Sequence, residues 1–393
     1  MATSRRRVAL LIETSRSYGR GLLRGIATYA RLRGDWSLHY VERSLEEAPP
    51  AWLRNWTGDG ILARLETKEM AEAVRQLELP MVDLRCRLKL PGVPALDTDP
   101  VATATLAVEH FLQSGFRHLA YCGFPGVDFS DARETAFITQ AQMHGMTADA
   151  FHPVRNQIPS THTFRRENPL QSKDPALEKW LLSLPKPIAI FACNDARGRQ
   201  ILQECHRANL QVPDQVAVLG VDNDPVVCEL SEPALSSIEP ATGEIGFRGA
   251  EILTDLMNGE PPPEEPLLFP PLQVVGRRSS DVVATDDPIL ASALRFIRDH
   301  ACNGIQVQDV IAEVGTSRAT LERRFADSLD RTPKDHIMQV RLQHVQRLLI
   351  ETKLPLISVA RNTGFQTESH LSSVFKRLCA TTPGQFRRSQ SLY

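Results

Sequence analysis

The sequence predicts a two-domain protein, in which a two-lobed α/β domain with parallel sheets precedes an all-α domain. Three observations support this fold class. Short apolar runs alternate with helical patterns over residues 7–276, as expected for strands buried on both faces of parallel sheets. Residues 277–287 are polar and interrupt that pattern. Residues 288–393 then show helical periodicity without strand-like alternation.

Seven apolar runs are predicted strands, at residues 8–12, 36–40, 60–62, 81–82, 118–122, 188–192 and 216–221. Six segments between and after them have the spacing of amphipathic helices, at residues 20–31, 68–76, 100–114, 131–144, 195–209 and 243–257. Residues 267–275 read as one last strand.

The strand and helix pattern recurs as two α/β halves. We therefore predict a domain over residues 1–280, with one lobe roughly at 1–116 with 229–259 and the other at 117–228 with 264–277. Residues 281–287 are the predicted linker, and 288–393 the second domain. A ligand cleft is expected between the lobes, where the carboxyl ends of the parallel strands lie.

The second domain contains two segments with the same layout, at residues 307–329 and 355–379. In each, a short apolar helix leads to a glycine suited to a tight turn, and then to a hydroxyl that can cap a second helix. The second helix carries a Leu and a Phe four residues apart, on one apolar face. These residues are Gly315, Ser317, Leu321 and Phe325 in the first segment, and Gly364, Thr367, Leu371 and Phe375 in the second.

Two helix-turn-helix units separated by one long helix resemble the AraC/XylS family of transcription activators. The resemblance covers about 100 residues and includes GFQTESHLSSVFKRLCATTPGQFRR at residues 364–388. It implies that the second helix of each unit enters the major groove of double-stranded operator DNA and contacts bases and phosphates. The DNA contacts predicted on this basis are Arg318, Thr320, Glu322, Arg323, Arg324, Ser369, His370, Ser373 and Lys376.

The first domain resembles the LacI/GalR regulators and the periplasmic sugar-binding proteins. The matching stretches are VALLIETSRSYGRGLLRGIATYAR at residues 8–31, SDARETAFITQAQMHGM at 130–146, FACND at 191–195 and VAVLGVDNDP at 216–225. The resemblance implies a small sugar between the lobes. Carboxylates can accept two hydrogen bonds from neighbouring sugar hydroxyls, and an arginine can donate two.

The predicted sugar ligands are Asp195, Asp222 and Arg133, with Asn194 and Asn223 as secondary candidates. Each primary candidate has an alternative role: a helix N-cap for Asp195, a loop or turn position for Asp222, and a surface salt bridge for Arg133. Other residues lie on segments that could line the cleft, with directions that the sequence leaves open: Tyr18, Arg64, Leu65, Arg197 and Arg199.

The order of the two domains resembles the family of xylose-operon activators, with matches at GDGILA (58–63), LGVDN (219–223) and VVGRRSSD (274–281). This implies a D-xylose-responsive activator of pentose catabolism that works as a homodimer, with RNA polymerase as a further possible partner. Two alternatives stay open. The ligand can be another small sugar, or the first domain can act mainly as a dimerisation platform.

Catalysis is not predicted, because no dinucleotide-binding, P-loop, HExxH or GxSxG motif appears. No cofactor or metal is expected, since the seven cysteines are scattered without a CxxC pair. A signal peptide and a membrane span are also absent from the sequence pattern, so a cytoplasmic protein without a membrane partner is expected.

The net charge of −2 conceals two domains of opposite sign. Residues 288–393 hold 15 Lys and Arg against 9 Asp and Glu, a net charge of +6, whereas residues 1–287 hold 30 against 38, a net charge of −8. A basic helical domain has the electrostatic character of a phosphate-binding module.

Overall fold

The computed structural model describes residues 5–44, 47–152, 173–282, 285 and 287–390 of the chain. The chain divides into two compact units, Met1–Asp281 and Val282–Tyr393. The first is α/β and the second is all α, which confirms the predicted fold class. Within the described residues, no helix combines the length and the apolar character that crossing a membrane requires.

The first lobe is built on a four-stranded parallel sheet with strand order β2-β1-β3-β4. Apolar side chains cover both faces of this sheet, as predicted from the continuous apolar runs. Its strands are β1 (Arg6–Leu11), β2 (Trp36–Tyr40), β3 (Gly60–Ala63) and β4 (Met81–Asp83), with helices α1 (Ser17–Arg33) and α2 (Lys68–Arg75).

The second lobe is built on a six-stranded sheet with order β12-β10-β9-β8-β6-β7, parallel except for β12. The elements that follow α2 are β5 (Leu96–Thr98), α3 (Pro100–Gln113), β6 (Leu119–Cys122), α4 (Asp128–Met143), β7 (Ala148–Ala150), α5 (Pro175–Ser183), β8 (Ile188–Ala192), α6 (Asp195–Arg207), β9 (Val216–Val221), α7 (Pro225–Glu229), β10 (Ser236–Glu239), α8 (Thr242–Met257), β11 (Leu267–Phe269) and β12 (Gln273–Val275).

The chain crosses between the lobes three times: after β5, after β10 and after β11. Helix α3 packs on α4 and strand β10 pairs with β9, so both belong to the second lobe. Strand β11 pairs with β5 beside the first sheet. The predicted lobes (1–116 with 229–259, and 117–228 with 264–277) therefore need correction, because periodicity along the chain does not identify the neighbour of a strand.

The predicted single strand at residues 267–275 is two strands in different lobes. Pro270 and Pro271 separate β11 from β12. Proline has no backbone N–H to donate to a sheet, so the ladder stops there and the chain changes lobe.

Helices α1 and α8 pack with their backbones in contact. A Cβ added at Gly25 would collide with the carbonyl group of Gly243, and one added at Gly246 with the carbonyl group of Leu22. Only glycine permits so close an approach. Helix α8 is therefore fixed to the first lobe, although the chain enters it from the second.

The second unit is a structural repeat of three helices, preceded by α9 (Pro288–His300). The first copy is α10 (Val307–Val314), α11 (Arg318–Leu329) and the start of α12 (Pro333–Glu351). The second copy is α13 (Leu356–Asn362), α14 (Glu368–Cys379) and α15 (Pro383–Gln390). Each copy has its own apolar core, around Leu321 and Phe325 or around Leu371 and Phe375.

Capping explains where the repeated helices begin. Ser317 accepts a hydrogen bond from the backbone N–H of Thr320 at the start of α11, and Thr367 does the same for His370 at the start of α14. Thr332 and Thr382 cap α12 and α15 in the same way. Both turn glycines have the positive φ expected of them, 61° at Gly315 and 73° at Gly364.

Candidate functional site

The carboxyl ends of the two sheets face each other across the first unit, and ion pairs join them there. From the first lobe, Arg85 lies 3.1 Å from the carboxylate of Asp128 in the second. On the other side of the domain, Arg20 of α1 lies 3.2 Å from the carboxylate of Asp224. The strand ends thus enclose the inter-lobe cleft that α/β folds use for ligands.

Arg85 is the central charge of this cleft and is only 4% exposed. Its guanidinium group donates to Glu66 (2.9 Å), Asp97 (3.3 Å) and Asp128 (3.1 Å). Burial alone would lower the pKa of Arg85, but the three carboxylates outweigh it and hold that pKa well above its usual value. Arg85 is therefore always charged, and it connects the two lobes.

Tyr18 and Arg64, whose directions the sequence left open, both face this network. The hydroxyl of Tyr18 donates to Asp97 over 2.9 Å, and the guanidinium group of Arg64 lies 4.7 Å from the Tyr18 ring. Arg64 is also paired with Glu13. Its Nε is buried without a hydrogen-bond partner in the described part of the chain. A ligand oxygen would stabilise such a donor.

Arg133 lies on the second-lobe side of the cleft, 7% exposed. One of its nitrogens donates to the carbonyl oxygen of Cys193 over 2.5 Å, and it makes no other hydrogen bond to the described residues. The Phe129 ring is close to both Arg133 and Arg85, whose guanidinium carbons lie 5.4 and 5.5 Å from its centroid. Arg133 therefore has N–H groups left to donate to a ligand, beside an aromatic face.

Asp195, a predicted sugar ligand, is buried in the second lobe. It is 2% exposed and its two carboxylate oxygens bind within the protein: Oδ1 accepts from the Ser237 hydroxyl over 2.5 Å, and Oδ2 accepts from the backbone N–H of Asp224 over 2.8 Å. Burial, and then the charge of Asp222, raises the pKa of Asp195 to about 8. This carboxyl group holds the β9–α7 loop against β10, which is a structural role, and its contact with a ligand stays a prediction.

The remaining predicted ligands divide between the cleft and the interior. Asn194 is the N-cap of α6 and accepts a hydrogen bond from the backbone N–H of Arg197. The N-cap role that was the alternative for Asp195 therefore belongs to Asn194. Asn223 accepts from Arg277 over 2.9 Å. Asp222 has a φ of 111° and its backbone oxygen accepts from Ser17 of the first lobe, so it lies at the cleft edge in strained geometry.

Of the other candidates, Arg197 is 5% exposed and its guanidinium group packs against the rings of Phe124 and Phe151 inside the second lobe. Arg199 is half-buried on the same helix. Leu65 is fully buried in the core of the first lobe. The direction of these side chains thus removes Arg197 and Leu65 from the cleft.

Five cleft residues were not among the predicted ligands: Glu66, Arg85, Asp97, Asp128 and Phe129. A signal was present for Arg85, because the charged stretch DLRCR begins at Asp83, the last residue of the buried strand β4. Charged residues at the carboxyl end of a buried strand favour a site at that edge. The partners of Arg85 come from three separate segments, so only the fold brings them together.

The exposed face of α11 carries Arg318, Glu322 and Arg323. Arg318 Nε donates to Glu322 over 2.9 Å, which holds the arginine along the helix surface. Thr320 is half-buried, with its hydroxyl 2.8 Å from that of Ser317. Arg324 is different: it forms an ion pair with Asp287, the N-cap of α9. Its side chain points towards α9 rather than along the exposed face, and its contact with DNA stays a prediction.

The exposed face of α14 carries the predicted DNA contacts of this unit, Ser369, His370, Ser373 and Lys376. The His370 ring lies 5.5 Å from Phe365, which is buried in the turn. This face has short hydroxyls and an imidazole where α11 has two arginines. The two units therefore offer DNA different chemistry on the same scaffold.

Three family models match the chain. An XylR N-terminal domain matches residues 7–99, a periplasmic binding protein-like domain matches 108–280, and a helix-turn-helix domain matches 310–389. Together they cover the described cleft and both recognition helices. The predicted combination of a sugar-binding-protein fold and a tandem helix-turn-helix domain is confirmed.

Relatives of the whole chain are transcription regulators. The xylose operon regulatory protein of Escherichia coli K12 is 30% identical over 98% of both chains, and that of Haemophilus influenzae is 28% identical over 97% of this chain and 98% of its own. The solved structure of the xylose-binding transcription activator XylR aligns over 100% of both chains, with 30% identity and a TM-score of 0.74. The prediction of a DNA-binding regulator rather than an enzyme is confirmed, and the chain belongs to the family of xylose operon regulatory proteins.

Proposed function

We propose that the protein activates genes of pentose catabolism in response to D-xylose, which binds between the lobes of the first unit. Its relatives are named for xylose, and one is described as xylose-binding. In the proposed mechanism the sugar closes the lobes, and closure changes how the helix-turn-helix domains of a homodimer reach adjacent half-sites. The sugar must bind the active geometry better than the inactive one for this to occur.

The observation that carries the proposal is the composition of the inter-lobe cleft. Within the described residues, Arg133 and the Nε of Arg64 retain N–H groups without acceptors, and the carboxylates of Asp97 and Asp128 pair with Arg85 in the same cleft. The Phe129 ring adds an apolar face. Paired donors, paired acceptors and an aromatic surface are the chemistry that a polyhydroxylated ring requires.

Isothermal titration calorimetry of the full chain tests the sugar, with D-xylose, L-arabinose, D-ribose and D-glucose as titrants. We expect D-xylose to bind most tightly. A tighter pentose would correct the effector, whereas no binding of any sugar would favour the dimerisation platform.

A variant pair tests the site. Arg133→Ala removes a charged donor and should weaken D-xylose binding about tenfold or more. Arg75→Ala removes an arginine that pairs with Glu72 on the exposed surface of α2, and should bind as the parent does. Equal sugar affinities in the two variants would contradict the cleft assignment.

We further propose the cellular compartment in which the protein acts and the proteins that it contacts. An activator that reads operator DNA works in the cytoplasm of a bacterium, where the DNA lies. We infer a homodimer because two-fold related DNA-binding domains match repeated half-sites, and RNA polymerase as the partner through which activation occurs. DNA footprints with and without D-xylose should differ in occupancy or half-site spacing, and identical footprints would contradict the coupling.

A further inference from the structure

An open groove of about 750 Å³ runs along the outer face of α8 in the first lobe. One wall is α1, with Arg24 and Thr28, and the other is β11, with Leu268. Phe247 lies half-buried between them. Leu268 is 50% exposed, and Leu32, two turns beyond Arg24 on the same face of α1, is 74% exposed. The groove and its margins thus form an exposed apolar surface of the kind that marks an interface.

Gly243 opens this groove without being needed for the fold of the chain around it. A Cβ built on Gly243 meets no atom within 4 Å, and its backbone is not in the left-handed region. Glycine weakens a helix relative to alanine. Among the described residues the missing side chain avoids no clash, whereas it leaves room for a close approach from outside.

The groove carries one unpaired charge of each sign. Arg24 of α1 and Glu244 of α8 are exposed, and neither side chain has a hydrogen bond or ion pair with the described residues. The nearby Arg248 and Glu251 neutralise each other over 2.7 Å. Glu244 would repel a nucleic acid or an acidic peptide, and Arg24 would repel a basic peptide. A surface with both signs is complementary to a copy of itself.

We propose that a second copy of this chain occupies the groove, related by a two-fold axis. Arg24 of each copy pairs with Glu244 of the other, and the apolar surface of Phe247 and Leu268 is covered. In such an interface each contact occurs twice, so one mixed pair of charges satisfies both copies. The inference rests on the homodimer proposed above and adds the surface that forms it.

Charge reversal tests this interface in the full chain, with the dimer dissociation constant read by sedimentation equilibrium. R24E and E244R each place like charges at both symmetric contacts, so each should weaken the dimer at least about tenfold. The matched controls are R54E and E109R, which reverse exposed charges outside the groove. Both should dimerise as the parent does.

Mixing the two reversed variants separates an interface from a folding defect. In a heterodimer of R24E with E244R, the glutamate at position 24 of one copy faces the arginine at position 244 of the other, and the second contact is a natural pair. We therefore expect the mixture to regain dimers with an affinity near the parent's, and the double variant R24E/E244R to form homodimers.

A monomeric parent protein, unchanged dissociation constants in both single variants, or a mixture that stays monomeric would each overturn the proposal. Sugar calorimetry on the same variants keeps it distinct from the proposed sensor function. We expect the monomeric variants to bind D-xylose as the parent does, because Arg24 and Glu244 lie outside the inter-lobe cleft. Loss of sugar binding in both, with dimers intact, would also contradict the assignment of this groove.

Discussion

The two helix-turn-helix units share the same backbone layout and differ in the side chains that it carries. Each has a left-handed turn glycine, a hydroxyl cap, a Leu–Phe core pair, and a further threonine-capped helix that closes the core. The differences are concentrated in the turn and on the outer face. The first unit presents Arg318 and Arg323 there, and the second presents Ser369, His370 and Lys376.

The same scaffold therefore carries two different outer surfaces. Arginine can contact guanine bidentately, whereas serine and histidine in the second unit offer shorter and less specific contacts. We infer that the first unit carries most base discrimination and that the second mainly positions the domain on phosphates. The cores differ too: the His336 ring lies 5.9 Å from Phe325 in the first, and Phe386 lies 5.4 Å from Phe375 in the second.

The turns should differ most in their tolerance of a side chain. A Cβ at Gly364 would lie 2.8 Å from the carbonyl oxygen of Ala301, whereas one at Gly315 meets nothing within 4 Å. Gly364→Ala adds a steric clash to the left-handed backbone penalty and should destabilise its unit by about 3 kcal/mol, and Gly315→Ala by about 1 kcal/mol. Hydrogen exchange of α14 and α11 in the full chain measures each unit. Equal effects would show that the turns are equivalent.

Acid should destabilise the first unit selectively. Burial, and then the nearby Arg331, lowers the pKa of His336 to about 4, below the ordinary value of 6.5. The unfolded chain binds the proton more readily, so the contribution of neutral His336 is complete above pH 6.5 and is lost as pH falls towards 4. At pH 5 the loss is at most about 2 kcal/mol.

Hydrogen exchange at pH 5 and pH 7 should show α11 loosening relative to α14 in the parent. His336→Phe copies the second unit, where Phe386 holds the matching place, and should remove the difference. A variant that keeps the parent's pH dependence would assign the effect to another group.

Base discrimination should show the most localised difference, confined to one base pair of the operator. Arg318→Ala should cost about 1–3 kcal/mol of preference for one base pair in an operator selected from randomised duplex DNA. Ser369 lies in the first turn of α14, one position beyond the residue that corresponds to Arg318 in α11. Ser369→Ala should change the selected operator sequence little. A larger change in preference for Ser369→Ala would reverse the assigned roles of the two units.

The sequence predicted the fold class and both DNA-binding units because their signals are local. Caps, turn glycines and Leu–Phe pairs lie within about 20 residues of one another and identify each unit alone. The lobes were partly wrong because α3, β10 and β11 take their places by pairing with strands and helices far along the chain. Pairing depends on tertiary contacts that periodicity does not record.

The inter-lobe cleft shows the same limit of prediction from sequence. Arg133 was predicted from a short motif and does lie at the cleft, whereas Asp195, equally prominent in its motif, is turned inward to Ser237. A carboxylate after a strand can face either a ligand or the neighbouring loop. The sequence does not distinguish these directions. Nor does it identify Arg85 as a cleft residue, because its partners Asp97 and Asp128 are brought to it only by the fold.

The glycine contact between α1 and α8 has a mechanical consequence. Because α8 is locked to the first lobe, any relative rotation of the lobes must be absorbed in the three short crossovers. Each crossover contains proline: Pro100 follows β5, Pro240 follows β10, and Pro270 with Pro271 follows β11. A proline ring fixes one of the two soft dihedrals at its position. The connection between the lobes is therefore stiff and has few degrees of freedom. This favours one closing motion over a wide range of relative lobe orientations.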